Sequence, residues 1–210
     1  VKNICAGEGG AITTNSKSLY NKLIMLRTHG ITKNQEDFTD LSQAMENNKV
    51  KPWYYEMQHL GMNYRLSEIH AALGISQINK ISFFKSSKKA VAQIYDEAFK
   101  NTPGIAILSH NSELHLLHLY VLQIDFNQFE FDRTTLMNTL KSKGIGSQVH
   151  YIPVYKQPYY QELCNKNVDL PFTEEFYNNC LSIPFYSGMT TSDAQFVCET
   201  LNDIFHSKAV

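Results

Sequence analysis

The chain has 210 residues, 43% of them apolar, enough for one substantial hydrophobic core or two small ones. With 19 basic against 20 acidic side chains its formal charge is -1, which excludes the sequence-independent attraction to nucleic acid or acidic membrane that a strongly basic protein exerts. No apolar run approaches the ~20 residues of a membrane span, and no signal-peptide pattern opens the chain, so a soluble cytoplasmic protein with a small-molecule or protein partner is expected.

The chain opens VKNICAGEGG, without an initiator methionine or polar leader, which suggests part of a longer sequence. Residues Gly10 to Thr14 are small and β-branched and predict a strand, and Asn15-Ser16 can cap the helix that follows, on which Leu19, Leu23 and Leu26 share a face. This order fits the edge of an α/β layer. His29-Gly30 closes the helix, with Gly30 as its cap. The polar stretch from Thr32 to Pro52 predicts a long loop, of a length more often functional than idle.

From Ser67 a helical pattern runs to about Lys100, with a bend or break expected at Gly74 or in the polar run Lys85 to Lys89. After Pro103-Gly104 the pattern becomes short strands with helices between them. Strands are predicted at Ile105 to Leu108, Leu117 to Ile124 and Gln148 to Ile152. One helix is predicted from Arg133 to Ser142, closed by Lys143-Gly144, and another from Ser192 to Phe205, burying Val197, Leu201 and Ile204. Cys5, Cys164, Cys180 and Cys198 form neither a CxxC pair nor a disulfide scaffold and read as small buried apolar residues. No metal site is expected.

Four strings carry chemistry. Lys2 lies a few residues before Gly7-Glu8-Gly9-Gly10, His59-Leu60-Gly61-Met62-Asn63-Tyr64-Arg65-Leu66 runs into SEIHAALG, Gly146-Ser147-Gln148-Val149-His150-Tyr151 runs into Ile152-Pro153-Val154-Tyr155, and Leu181-Ser182-Ile183-Pro184 comes late. Taken singly, a terminal lysine is usually solvated, Gly-Gly is usually a turn, Asn63 reads as a turn residue and His150 as a satisfied core histidine.

In this order, and over essentially the whole chain, the strings resemble those of the sugar aminotransferases (DegT/StrS type), a family of fold type I enzymes dependent on pyridoxal 5'-phosphate (PLP). The likeness is greatest to the branch that aminates a UDP-linked 4-keto-6-deoxy-N-acetylhexosamine for pseudaminic acid. The resemblance implies an α/β fold in which residues 1–65 end the PLP-binding large domain, 66–100 form a connecting helix and 101–210 form a small α+β domain. It implies Lys2 as cofactor anchor and acid/base, and Asn63 as a donor to the PLP phosphate of a partner subunit, so that a homodimer shares its active sites. Arg65 either adds charge there or pairs with a carboxylate of the fold. Gln148, Val149, His150 and Tyr151 would line the sugar-nucleotide pocket; on a strand Gln148 and His150 project together and Tyr151 opposite. L-glutamate is the implied amino donor.

The family places its pyridine-nitrogen acid, ring-stacking residue and further phosphate donors upstream of the lysine, so this chain alone is expected to be inactive. A non-catalytic remnant serving as an interaction module, and an aminotransferase for a dTDP- or GDP-linked 4-keto sugar, are the alternatives. Lys2, Asn63 and Gln148 to Tyr151 being intact argues against decay, and Lys2 argues against the lysine-lacking PLP dehydratases.

Overall fold

The computed structural model describes residues 2–108, 115–163 and 168–207, and Val1 and Cys164 lie outside them. The chain divides into two compact units, Cys5–Ile78 and Val1–Ile4 with Asn79–Val210. Helices and small antiparallel sheets are mixed throughout. No helix among the described residues is long and apolar enough to cross a membrane.

In the first unit, helix α1 (Lys17–Arg27) starts where expected, because the Ser16 side chain accepts a hydrogen bond from the Leu19 amide at 3.3 Å. The predicted strand before it does not form. Residues 10–14 pair with no described strand and all but Thr14 stand exposed, Ile12 at 73%, and β-branching cannot hold an extended segment without a neighbouring backbone to pair with. Beyond α1, strand β1 (Ile31–Thr32) pairs antiparallel with a later strand, and the expected long loop is subdivided into short elements. It contains a 3-10 turn at Gln35–Asp37, helix α2 (Leu41–Ala44) and a hairpin of β2 (Met45–Glu46) with β3 (Lys49–Val50). The hairpin turns on Asn47 and Asn48, at φ 51 and 60, the left-handed pair that a tight two-residue turn requires and asparagine tolerates.

Strand β4 (Glu56–Met57) returns beside β1 and supplies the organising group of that loop. The Glu56 carboxylate accepts from the amides of Thr39 (2.8 Å) and Asp40 (2.8 Å), the Thr39 hydroxyl (2.9 Å), the Tyr54 hydroxyl (3.1 Å) and the Gln58 amide (2.8 Å). Glu56 is buried, which by itself pushes its carboxyl up, yet these donors outweigh burial and bring it down to about 2.

The helical pattern after Ser67 is two helices, α3 (Glu68–Ile78) and α4 (Ile81–Phe99). Their break falls at Asn79-Lys80, where the chain turns, and not at Gly74 or in Lys85 to Lys89. Gly74 sits inside α3, and Lys88 belongs to the buried face of α4 together with Val91, Ala92, Tyr95 and Phe99. The polar run therefore continues the helix because one of its lysines faces inward.

In the second unit, β5 (Ile105–Ile107), β6 (Tyr120–Ile124) and β7 (Cys180–Ile183) form an antiparallel sheet in the order β5-β6-β7. β6 buries every second residue. Helix α5 (Arg133–Ser142) matches the expected bounds, with Asp132 accepting from the Thr135 amide at 2.8 Å and Gly144 at φ 79 after its end. Two further helices, α6 (Pro158–Leu163) and α7 (Pro171–Asn179), each begin on a proline, whose fixed φ suits the first helical turn. Strand β7 (Cys180–Ile183) is buried at all four residues, and α8 (Thr191–Ser207) buries Val197, Leu201 and Ile204 as predicted. The core gathers Tyr95, Phe99, Leu122, Leu136, Leu201 and Phe205, each contributing roughly 1.5–3 kcal/mol by leaving water.

The segment Gln148 to Ile152 is not the expected strand. It makes one bridge, with the Gln148 amide donating to the Ser182 carbonyl at 3.0 Å and the Ser182 amide to the Gln148 carbonyl at 2.8 Å. It then leaves the sheet before Pro153, which has no amide hydrogen to continue a ladder.

Glu56 generates a pH test. Its folded value lies below the usual 4.5, so its stabilisation is complete above about pH 4.5 and is lost as the pH falls toward 2. Protection of the Thr39 and Asp40 amides from hydrogen exchange, corrected for intrinsic rates, is expected to fall over that window. Glu56→Gln should remove that pH dependence and lower the melting temperature by roughly 5 °C, because its amide sets donors against donors.

Candidate active site

Lys2 is exposed at the start of the described chain, and its neighbour Asn3 is tied down on both ends of its amide. Asn3 Nδ2 donates to the Leu116 carbonyl at 3.1 Å, and Asn3 Oδ1 accepts from Lys88 Nζ at 2.7 Å. A few residues on, Gly7 adopts φ 75, and a Cβ there would lie 2.9 Å from the ring of His70. The glycine turn is thus required both by conformation and by space. Cys5 is exposed and not buried as expected, because the segment around it runs along the surface. Cys180 and Cys198 are buried, and burial pushes both thiols up, Cys198 to about 11, as suits inert packing residues.

Asn63 and Arg65 belong to the other unit, and their placement follows from a backbone crossing. Gly30 is at φ 70 with its amide on the Met25 carbonyl at 2.9 Å, so it does close the helix. It also allows a close approach, since a Cβ at Gly30 would lie 1.7 Å from the His59 carbonyl oxygen and one at Gly61 would lie 2.2 Å from the Gly30 nitrogen. His29, at φ 58, donates its amide to the Met62 carbonyl, and the Met62 and Tyr64 amides bond to Leu26 and Arg27, all at 2.9 Å. The end of α1 therefore fixes the strand-like run carrying Asn63.

Both Asn63 and Arg65 are exposed, and Arg65 Nε donates to Asn63 Oδ1 at 3.1 Å. With its oxygen engaged, the asparagine presents its NH₂ as a donor, and the remaining guanidinium N–H groups point the chemistry the same way. Of the two readings of Arg65, no carboxylate partner is found among the described residues. This donor-only pair fits the oxygens of a phosphate, and the exposed Lys2 amine fits an aldehyde. Arg65 and Tyr64 also line a groove of about 1050 Å³ with Glu8, Gly9 and Gly10, which brings the glycine turn and the Asn63 string to one place.

In the Gln148 segment, Gln148 Oε1 accepts from the Val149 amide at 3.0 Å, which leaves its NH₂ for a ligand. His150 Nδ1 meets the Ser182 hydroxyl at 2.7 Å, and burial lowers its titration. Tyr151 is 69% exposed and its ring lies edge-on to that of His150 with centroids 4.6 Å apart. The strict alternation expected of a strand is thus replaced by a paired His150 and an exposed Tyr151 whose rings touch. Tyr155 is committed to the fold, its hydroxyl donating to Glu174 at 2.5 Å, and that bond pushes its titration up to about 12.

Three polar residues around these segments have partners that sequence reading does not supply, although Ser182 lies within the late string. Ser182 orients His150. Lys88 reaches Asn3 from α4. His118 has a buried Nδ1 without a partner among the described residues, and its titration is lowered by burial and then by the positive charges of Lys2, Lys88 and His150. Lys2, His118 and His150 therefore share one electrostatic environment. The sequence signal is that polar side chains interrupt apolar patterns at 118 and 182, while Lys88 is hidden within a polar run. Among the described residues no group of His, Cys, Asp or Glu could hold a metal ion.

Comparison with known proteins gives a single picture. Residues 1–202 match the DegT/DnrJ/EryC1/StrS aminotransferase family. The chain is 34% identical over 206 residues to the spore coat polysaccharide biosynthesis protein SpsC of Bacillus subtilis, covering 97% of this chain and 51% of the relative. It is 35% identical over 205 residues to the UDP-4-amino-4,6-dideoxy-N-acetyl-beta-L-altrosamine transaminase of Campylobacter jejuni strain 81-176, covering 97% and 50%. Among solved structures it superimposes on Helicobacter pylori PseC, an aminotransferase involved in the biosynthesis of pseudoaminic acid, with TM-score 0.84 and 29% identity over 99% of this chain and 51% of that one. The chain spans about half the length of the curated relatives it matches.

The crossing that carries Asn63 is open to direct test. Gly61→Ala is expected to destabilise the protein by about 1–3 kcal/mol in urea unfolding, since its Cβ meets backbone that cannot swing aside. Gly74→Ala serves as the control, because a Cβ there makes only an ordinary contact, 3.7 Å from Ala6, and should leave stability unchanged or raised.

Proposed function

This chain belongs to the DegT/DnrJ/EryC1/StrS aminotransferase family, and from that premise we propose that it is part of an enzyme that moves an amino group from L-glutamate to the 4-keto carbon of a UDP-linked 4-keto-6-deoxy-N-acetylhexosamine. The observation that carries the reading is that Lys2, the Asn63–Arg65 donor pair and the Gln148–Tyr151 segment are all present, with the NH₂ groups of Asn63 and Gln148 left to donate to a ligand because their oxygens are engaged. The name of the Campylobacter relative supports the choice of sugar.

PLP, when bound, supplies the electron-withdrawing ring that makes the hydrogen on an amino-bearing carbon acidic. Lys2 Nζ would hold the cofactor by its aldehyde and, once displaced by the amino donor, take that hydrogen as a proton and return it at the cofactor's side. Its amine must be neutral to do so. Asn63 Nδ2 would donate to the cofactor phosphate of a partner subunit, with Arg65 adding charge beside it, so that a homodimer shares its sites. Gln148 Nε2 and the His150 ring would hydrogen-bond sugar or diphosphate oxygens, Tyr151 would cover a sugar face and Val149 would contribute through its backbone. On this reading residues 1–65 end the PLP-binding domain, 66–100 connect, and 101–210 form the small domain of a cytoplasmic enzyme.

Lys2→Ala in the full gene product is expected to abolish the borohydride-trapped bond between protein and PLP, and retention of that bond would sink the assignment. Asn63→Ala should weaken PLP retention by roughly 1.5–3 kcal/mol without unfolding the protein. Mixing the two variants should regenerate one intact site per mixed dimer, read as recovered activity once subunit exchange is verified.

The sugar is tested by offering UDP-, dTDP- and GDP-linked 4-keto sugars to the same protein. Preference for the UDP sugar is expected, and preference for another nucleotide would keep the family and overturn the substrate. Gln148→Ala or His150→Ala should slow the sugar half-reaction by about tenfold or more while largely sparing the glutamate half-reaction, because pockets built on hydrogen bonds penalise unpaired groups.

A further inference from the structure

Lys88 is a buried cation that the chemistry above does not use. It lies on the inward face of α4 at 5% exposure. Its ammonium donates to Asn3 Oδ1 at 2.7 Å and to the Leu117 carbonyl at 3.2 Å, and it stands 5.3 Å from the centre of the Phe185 ring. All three partners are neutral, and no carboxylate accompanies it among the described residues. A buried ammonium without a counter-ion is costly, and burial accordingly favours its uncharged form. A leucine or methionine at this point of the helix would pack without that cost, so the amine is kept for what it holds.

What it holds is the segment next to Lys2. Asn3 is clamped between Lys88 on one end of its amide and the Leu116 carbonyl on the other, and Lys88 closes the ring by binding Leu117. The short stretch of residues 2–4 lies outside any helix or strand, so among the described residues these side-chain bonds, and no ladder, hold it to the rest of its unit. We infer that Lys88 is a positioning residue for the aminotransferase reaction: acting through Asn3, it fixes the backbone that carries Lys2 and so aims the Lys2 amine. This rests on the reading of Lys2 given above.

The test uses the full gene product, stripped of cofactor, in wild-type form and as Lys88→Met, Asn3→Ala and the double variant. Hydrogen exchange of the peptide spanning residues 2–4 is measured first, without cofactor. Each single variant should raise it by about tenfold, while the α4 and α8 peptides keep their protection. PLP is then added, samples are reduced with borohydride at intervals, and modification of Lys2 is counted by peptide mass spectrometry. Each single variant should slow trapping by roughly ten- to a hundredfold, and the double variant should be no slower than the worse single, because both act through one contact.

Wild-type exchange and trapping in either single variant would overturn the inference, as would losses that multiply in the double. Should Lys88→Met fail to fold, Asn3→Ala decides alone by the same two readings. A wild-type protein that traps no PLP on Lys2 would instead bring down the assignment of Lys2, and the exchange measurement would still decide whether Lys88 holds this segment.

Discussion

Two residues without side chains let the chain pass over itself at the end of α1, and the presentation of Asn63 depends on that passage. Gly30 and Gly61 meet backbone to backbone, at distances where a Cβ on either would overlap a peptide group. The contact converts two separated stretches into one scaffold, because amides of residues 29, 62 and 64 can then bond carbonyls across the crossing. Asn63 inherits a fixed backbone from this, and Arg65 then fixes its side chain. A donor aimed at an oxygen-rich ligand must be held before the ligand arrives, since ordering it afterwards would draw on the binding energy.

The two buried ions among the described residues are treated in opposite ways. Glu56 is surrounded by donors, two of them backbone amides, so its charged form is favoured in spite of burial and the loop from Thr32 to Pro52 is wound around it. Lys88 meets only a few neutral acceptors and a ring face, so burial dominates and its charged form is disfavoured. The first arrangement is a stable structural anchor. The second persists at a cost, and such costs are found where an arrangement serves a site.

How much of this was legible in the sequence depends on whether local rules decide the outcome. The Ser16 cap, the helix from Arg133 to Ser142 with Gly144 after it, and the inward face of the last helix rest on local chemistry, and the structure has them where they were expected. The strands predicted at Gly10 to Thr14 and Gln148 to Ile152 fail for a non-local reason. A strand exists only where another backbone offers its hydrogen bonds, and β7 offers Gln148 a single pair at Ser182. The winding of the Thr32 to Pro52 loop on Glu56 was hidden likewise, because a lone glutamate in sequence says nothing of the donors that fold around it. At the candidate site, Lys2, Asn63 and Gln148 to Tyr151 stand out by their strings and Ser182 lies within another, whereas the pairing of Ser182 with His150 and of Lys88 with Asn3 was hidden, since these contacts join residues 32 and 85 apart.

The two units also differ in what keeps them folded. The second has a contiguous core of aromatic and aliphatic side chains, from Tyr95 through Leu122 to Phe205. In Cys5–Ile78 the buried residues are Gly30, Thr32, Ala44 and Glu56, only one of them an apolar side chain beyond glycine, while Ile12, Trp53, Leu60, Tyr64, Ile69 and Ile75 stand more than half exposed. Hydrogen-bonded crossings and a ringed carboxylate define the backbone there, but they supply little of the apolar burial that stabilises a domain. Large apolar side chains left exposed in this number are characteristic of surface that meets other protein, and they belong to the same unit as Asn63.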